Sequence, residues 1–297
     1  MRFAAIDIGS NAVRLLFTDV FENGTFTQFK KSSLIRVPVR LGTDSFTRKN
    51  ISDKTKDALL KTMMAFKYLL EVNQPVDYMA CATSAMREAR NGKDIVNEIK
   101  QQTGITVEII DGEREAEIIF SNHIAESLSQ LISYLYLDVG GGSTEVTLFS
   151  NNKRITSKSF NIGTVRMLEN SVLESEWEKL KTWLSENTEQ YGSIACIGSG
   201  GNINTVFKMS QKKEGTPLSF KDIKYTYELI KSYSYDDRIK ILNLKSDRAD
   251  VIIPALEIYL AIMKWIHSSK IYVPVIGLLD GIVHVLYEKY KNNNYKE

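Results

Sequence analysis

Only two cysteines, Cys81 and Cys196, occur in 297 residues, and each lies in an apolar run. That excludes a disulfide framework. It leaves two reduced core thiols and, with them, the expectation of a cytoplasmic protein. Histidine is as scarce: His123, His267 and His284 are scattered, without the spacing of a metal site, and read as structural. Net charge is only +2. No global field therefore favours nucleic acid or an anionic membrane, and neither is expected as a partner. Long apolar runs are missing too. Asp7 and Arg14 interrupt the N-terminal MRFAAIDIGSNAVRLLF, which is neither a signal peptide nor a membrane span. The five prolines mark no linker.

What is present is alternation of buried strands and helices. FAAIDIG and AVRLLFTDV read as a buried hairpin, and Asn23-Gly24 closes a second into TFTQFKKS. Ser52 caps a helix with Leu59, Met63, Phe66 and Leu70 on one face. VDYMACAT is a strand leading to a helix, SAMREAR, stopped by Asn91-Gly92; KDIVNEIKQQT is a second helix, ended by Gly104; ITVEII is a strand; Asp111 caps a helix through GEREAEIIFSNHIAESL. A three-stranded meander then begins at YLYLDVG. A helix over 174–189 and the strand SIACIGSGG follow, then mostly helix, the strand-like KIYVPVI and a terminal helix LLDGIVHVLYEKY. The pattern is α/β in two domains, 1–125 and 126–297. The helix over about 280–297 is a candidate to pack back on the first, and no additional helical C-terminal module is expected.

The two halves open alike. IDIGSN at residues 6–11 and LDVGGGST at 137–144 each end a buried strand in Asp, follow it with glycine, and start the next strand with small hydroxyl or amide residues; Asp7 and Asp138 are 131 positions apart. Glycines let backbone N–H groups converge on an anion, hydroxyls add donors, and the Asp holds a cation that the anion shares. A single such turn is no more than a tight hairpin; the repeat favours a pair of phosphate loops. A third cluster, IGSGGNI at 197–203, joins a strand to a helix N-terminus, another place where anions bind.

DIGSNAVRLL and LDVGGGSTEV resemble the two phosphate motifs of the acetate kinase, sugar kinase, heat-shock ATPase and actin superfamily. RVPVRLG (36–42), ATSAMREARN (82–91), GEREAEIIF (112–120), FNIGTVRMLE (160–169) and IGSGGN (197–202), in that order, narrow the resemblance to the exopolyphosphatase and guanosine pentaphosphate phosphatase family, Ppx/GppA. The resemblance implies two actin-like (ribonuclease H-like) domains with a cleft between them, and magnesium-dependent hydrolysis of a terminal phosphoanhydride of inorganic polyphosphate. It also implies a homodimer. The family's catalytic base corresponds to Glu115, with Glu113 the fallback. Asp7, Asp138 and Glu145 are the magnesium carboxylates. Ser10, Asn11, Gly140, Gly141, Gly142, Ser143 and Thr144 hold the terminal phosphates, Arg14, Thr83 and Arg87 add donors, and Gly163, Gly200, Gly201 and Asn202 complete the anion-binding set.

Two departures stand out: GLLDG at 277–281 where relatives carry a GLREG-like stretch, and Pro254 where glycine is common. The basic residues Lys30, Lys31, Arg36, Arg40, Arg48 and Lys49 are either a polyanion path or a solvated face, with Arg40 the best candidate for the path. Guanosine pentaphosphate is the alternative substrate. An ATP-binding kinase or a nucleotide sensor on the same loops is the alternative class.

Overall fold

Near-continuous buried runs such as Phe3–Ile8, Thr144–Phe149 and Ile194–Ser199 build the centres of two sheets. The computed structural model describes residues 1–24, 26–121, 133–151, 153–274 and 276–294. The boundary placed near residue 125, His123 and the C-terminal part of the helix expected from Asp111 lie outside the described residues. The chain divides into two units, Met1–Asn122 with Leu278–Glu297, and His123–Gly277.

The first unit begins with β1 (Arg2–Ile8), β2 (Val13–Asn23) and β3 (Phe26–Val37), then α1 (Leu41–Arg48) and α2 (Asp53–Asn73). It continues through β4 (Asp77–Ala82), α3 (Ser84–Glu88), α4 (Gly92–Thr103), β5 (Val107–Ile109) and α5 (Gly112–Phe120). Its sheet has the order β3-β2-β1-β4-β5. The β1–β2 and β2–β3 pairs are antiparallel; β1–β4 and β4–β5 are parallel.

The second unit holds β6 (Ser133–Val139), β7 (Thr144–Ser150), β8 (Lys153–Phe160), α6 (Thr164–Leu168), α7 (Glu174–Thr188), β9 (Ile194–Ser199) and α8 (Gly201–Met209). After these come β10 (Leu218–Ser219), α9 (Phe220–Lys231), α10 (Tyr235–Lys240), α11 (Ser246–Ala249), α12 (Ile252–Trp265) and β11 (Lys270–Tyr272). Its sheet runs β10-β11-β9-β6-β7-β8. With β10 set aside, it repeats the first sheet strand for strand and sense for sense. Tyr259 and its neighbours on α12 form the centre of this unit's core.

The final helix, α13 (Leu278–Asn294), belongs to the first unit, where it packs on β1, β4 and α5. Gly281 makes that approach possible, because a Cβ there would collide with the Ile118 carbonyl. Lys31 pairs with Asp280 at 2.8 Å, and Phe29 stacks on His284 at 3.9 Å. Leu279 stands where the GLREG-like pattern has Arg, while Asp280 keeps an acid beside it and ties α13 to β3.

Three local expectations change. The strand ITVEII is confined to Val107–Ile109. The helix at SAMREAR ends at Glu88, before Asn91-Gly92, and Gly92 instead starts α4, where a Cβ would strike the Met86 carbonyl. Helices α1 and α6 were not anticipated; both are short, and both matter below.

Candidate active site

The turn between β1 and β2 is closed by the Gly9 N–H donating to Ala12 O at 3.1 Å. Its carbonyls are engaged from one side: Gly42 N–H donates to Ser10 O at 2.8 Å and Arg40 N–H to Asn11 O at 3.0 Å. In a trans peptide the C=O and the following N–H point opposite ways. Holding these two carbonyls therefore aims the N–H groups of Asn11 and Ala12 away from α1. Arg40 reaches this position with φ 57°, a left-handed conformation. Thr83 N–H donates to Ile8 O at 3.2 Å, and the Ser10 hydroxyl shares a 3.0 Å hydrogen bond with the hydroxyl of Ser84. Thr83 is buried at the start of α3, yet its hydroxyl caps no helix N–H.

Register lines up one row of side chains across this sheet: Arg36, Arg14, Asp7, Cys81 and Glu108. Asp7 is 3% exposed and lies 3.3 Å from Arg14 Nε. Burial raises its carboxyl above the ordinary value, and Arg14 and Arg36 only partly counter it. Glu115 sits in the first turn of α5, 8% exposed, where Asp111 caps the helix by accepting from Arg114 N–H at 2.8 Å. The helix N-terminus favours a carboxylate there. The Cys81 thiol is pushed up to about 12, first by burial, then by the charges of Glu108 and Asp7, and to a lesser extent by Glu115. Asp7 and Glu115 thus act on a common neighbour. Arg87 is braced toward α5 through one arm of its fork, its Nη1 donating to Ile110 O at 2.7 Å.

The second unit repeats the turn. Gly140 N–H donates to Ser143 O at 2.9 Å. Behind it stands α6: Thr164 N–H donates to Gly140 O at 3.0 Å, and the N–H groups of Val165 and Arg166 to Gly141 O at 2.8 and 3.1 Å. Gly163 packs on the same backbone, where a Cβ would lie 2.5 Å from Gly141 O and from Gly142 N and C. It backs the loop. Among the described residues, the N–H groups of Gly141, Gly142 and Ser143 meet no acceptor, although Gly142 and Ser143 are buried. Buried N–H groups rarely go unmet, and three successive N–H groups of this kind can serve as a nest for an anion. Thr144 differs from its expected use: its hydroxyl donates to Ile162 O at 2.6 Å and serves the fold.

Asp138 and Glu145 are register partners on β6 and β7, so both side chains leave the same face beside the nest. Glu145 is 2% exposed and accepts from the Ser159 hydroxyl at 2.8 Å. Gly200, with φ 105°, holds a conformation that residues with a side chain rarely adopt, and a Cβ there would stand a tight 3.3 Å from Asp138 Oδ1. Arg248 lies over Gly201, its Nη1 donating to Gly201 O and, at 2.7 Å, to the Thr205 hydroxyl. Asn202 is half-buried in the first turn of α8. Ser84, Ser159, Arg166 and Arg248 were not singled out from sequence. Ser84 and Arg166 were within reach, because each lies in a stretch quoted for the resemblance.

Among the described residues, no group of three or more His, Cys, Asp and Glu side chains could hold a metal ion. The Asp138–Glu145 pair nonetheless suits magnesium, which takes one or two protein carboxylates and fills the remaining positions with water and substrate phosphate. No helix among the described residues is long and apolar enough to cross a membrane.

Three comparisons bear on this arrangement. The chain is 30% identical over 229 residues to the bifunctional 3-dehydroquinate synthase/phosphatase of Fusobacterium nucleatum, covering 71% of this chain and 34% of that one. It is 28% identical over 170 residues to exopolyphosphatase 1 of Mycobacterium bovis, covering 56% of this chain and 48% of the relative. The chain thus spans less than half the length of either. Among solved structures, an exopolyphosphatase from Cytophaga hutchinsonii superposes with a TM-score of 0.81 at 24% identity, over 97% of this chain and 98% of that one. The shared fold is that of two actin-like domains. A model of the Ppx/GppA phosphatase family matches residues 27–290, most of the chain, and this places the chain in that family: it belongs to the Ppx/GppA phosphatases.

Proposed function

We propose that the protein is an exopolyphosphatase, hydrolysing the terminal phosphoanhydride of inorganic polyphosphate and releasing phosphate. The observation that carries this reading is the nest at Gly141–Ser143: three N–H groups without acceptors, beside two carboxylates on one sheet face. Phosphoryl transfer to water needs positioning, charge neutralisation and a group to orient or deprotonate the water. The N–H groups of the nest position phosphate oxygens. Arg14, partly exposed at 38%, adds a guanidinium whose charge Asp7 balances. Asp138 and Glu145 would hold magnesium directly or through water; when bound, that ion neutralises phosphate oxygens. Glu115 is the base. It stands in the first turn of α5, and its near-complete burial limits competing solvent.

Phosphate release from medium-chain polyphosphate, tripolyphosphate and guanosine pentaphosphate, measured side by side by malachite green, tests the reading. The expected order has polyphosphate first. A preference for guanosine pentaphosphate would move the assignment to the other branch of the family, and ADP formed from ATP with a phosphoryl acceptor would replace it with a kinase. Glu115→Ala is expected to lose about 10²-fold or more in kcat, the contribution of a general base. Full activity in that variant removes Glu115 from the mechanism.

A further inference from the structure

The carbonyls of the second loop are held by three successive contacts, and the third differs in kind. Gly140 O and Gly141 O accept from backbone N–H groups of α6. Gly142 O accepts instead from a side chain, Arg166 Nε, at 2.8 Å. In the first unit the corresponding carbonyl, Asn11 O, is held by the backbone N–H of Arg40. Arg166 is 5% exposed. A charged side chain buried to that degree is costly unless it is hydrogen-bonded or paired; the Gly142 carbonyl is one such partner, and Glu176 feels its charge.

We propose that Arg166 is a positioning residue that presets the phosphate-binding face of the 140–143 loop. The proposal rests on the phosphate reading of that loop. The Gly142 carbonyl and the Ser143 N–H belong to one planar peptide and point opposite ways. Fixing the carbonyl on Arg166 turns the Ser143 N–H toward the anion. A charged donor on the carbonyl also polarises the peptide and strengthens that N–H as a donor. Glycine at 142 offers the peptide many alternative orientations, so an external tether is needed to select one. Arg is suited to this because it stays protonated and its planar fork is rigid. Arg166 does not touch the phosphate in this scheme; it acts through the Gly142–Ser143 peptide.

The test is calorimetric titration of the full chain with tripolyphosphate in the presence of magnesium, using wild type, Arg166→Met and Arg166→Lys, each with its melting temperature. Binding by Arg166→Met is expected to be about tenfold weaker or more, the effect of losing a hydrogen bond to a charged donor. Arg166→Lys, which keeps the charge and loses the fork, should recover part of that loss. The ¹⁵N–¹H resonance of Ser143 should shift in the ligand-free variants relative to wild type, a change that a general loss of stability does not produce. Wild-type affinity in folded Arg166→Met overturns the proposal. If Arg166→Met does not fold, Arg166→Lys decides: weaker binding with a displaced Ser143 resonance supports it, and unchanged affinity and resonance overturn it. Failure of wild type to bind tripolyphosphate would instead remove the phosphate reading of the loop, and this proposal with it.

Discussion

Arg14 faces Asp7 across the first hairpin with its Nε 3.3 Å from the carboxylate, whereas the places 131 positions further on hold Asp138 and Glu145, a carboxylate opposite a carboxylate. One hairpin plan therefore serves two chemistries. In the first copy the cation is covalently part of the chain. In the second the same two positions form the kind of oxygen-ligand pair that a hard divalent ion takes.

Magnesium should consequently stabilise the protein through the second hairpin. Anything that binds the native state alone raises the melting temperature by mass action. Wild type is expected to show a melting temperature that climbs with millimolar magnesium and falls back when the ion is chelated. Asp138→Asn should flatten that response and abolish phosphate release, while Asp7→Asn should leave the magnesium response in place. A full magnesium response in Asp138→Asn would place the ion elsewhere.

Asp7 carries a pH signature of its own. Burial raises its carboxyl above the usual value, with Arg14 and Arg36 opposing that shift without cancelling it. The folded state then holds the proton more tightly than the unfolded chain. The associated stability is fully present below the unfolded value of about 4 and is lost as pH rises through the raised folded value. Asparagine imitates the protonated form. Asp7→Asn is therefore expected to melt higher than wild type at pH 7, the gap narrowing toward pH 4, at the expense of activity. Calorimetric scans at the two pH values check this; an unchanged or lower melting temperature at pH 7 contradicts it.

The two thiols should be silent. Both are fully buried and pushed up to about 12, by burial above all; at Cys81 the charges of Glu108 and Asp7 reinforce it, and at Cys196 a hydrogen bond to Ser268 opposes it. At pH 8 only about one thiol in 10⁴ would be ionised, and the thiolate is the reactive form. Ellman's reagent should find no thiol in the native protein and two in guanidinium chloride. Rapid labelling of the folded chain would show that the sheet around Cys81 opens readily.

Much of this was legible in the sequence because the signals were local. The Asp111 and Ser52 caps and the glycine C-cap at Gly104 follow from residue type and period alone. What escaped depended on partners distant in the chain. Helices α1 and α6 are too short to show an apolar period, and their role, holding loop carbonyls, exists only once Gly42 meets Ser10 and Thr164 meets Gly140. The Thr144 hydroxyl and Arg87 Nη1 are groups suited to phosphate that the fold engages with Ile162 O and Ile110 O, while the rest of the Arg87 fork is not used there. Residue chemistry names what a side chain can bind, and the fold decides which acceptor is nearest.

Gly163 gives the sharpest separation between a glycine needed for conformation and one needed for space. Its φ of −149° and ψ of 159° are extended values that any residue adopts, so alanine would not strain its backbone. Space is the obstacle: the added Cβ would lie 2.5 Å from three backbone atoms of Gly141 and Gly142, with no flexible side chain to move aside. The loop must shift instead, carrying its N–H groups off their aim. Displacements approaching 1 Å in a positioning element cost up to about 10²-fold. Gly163→Ala is thus expected to weaken tripolyphosphate binding and lower kcat/KM by about tenfold or more. Gly277→Ala serves as the control, since a Cβ there meets only the Ser199 hydroxyl at 3.5 Å, an ordinary contact, and should change either quantity little. Equal behaviour of the two variants would mean that the backing of the loop by α6 does not set its binding geometry.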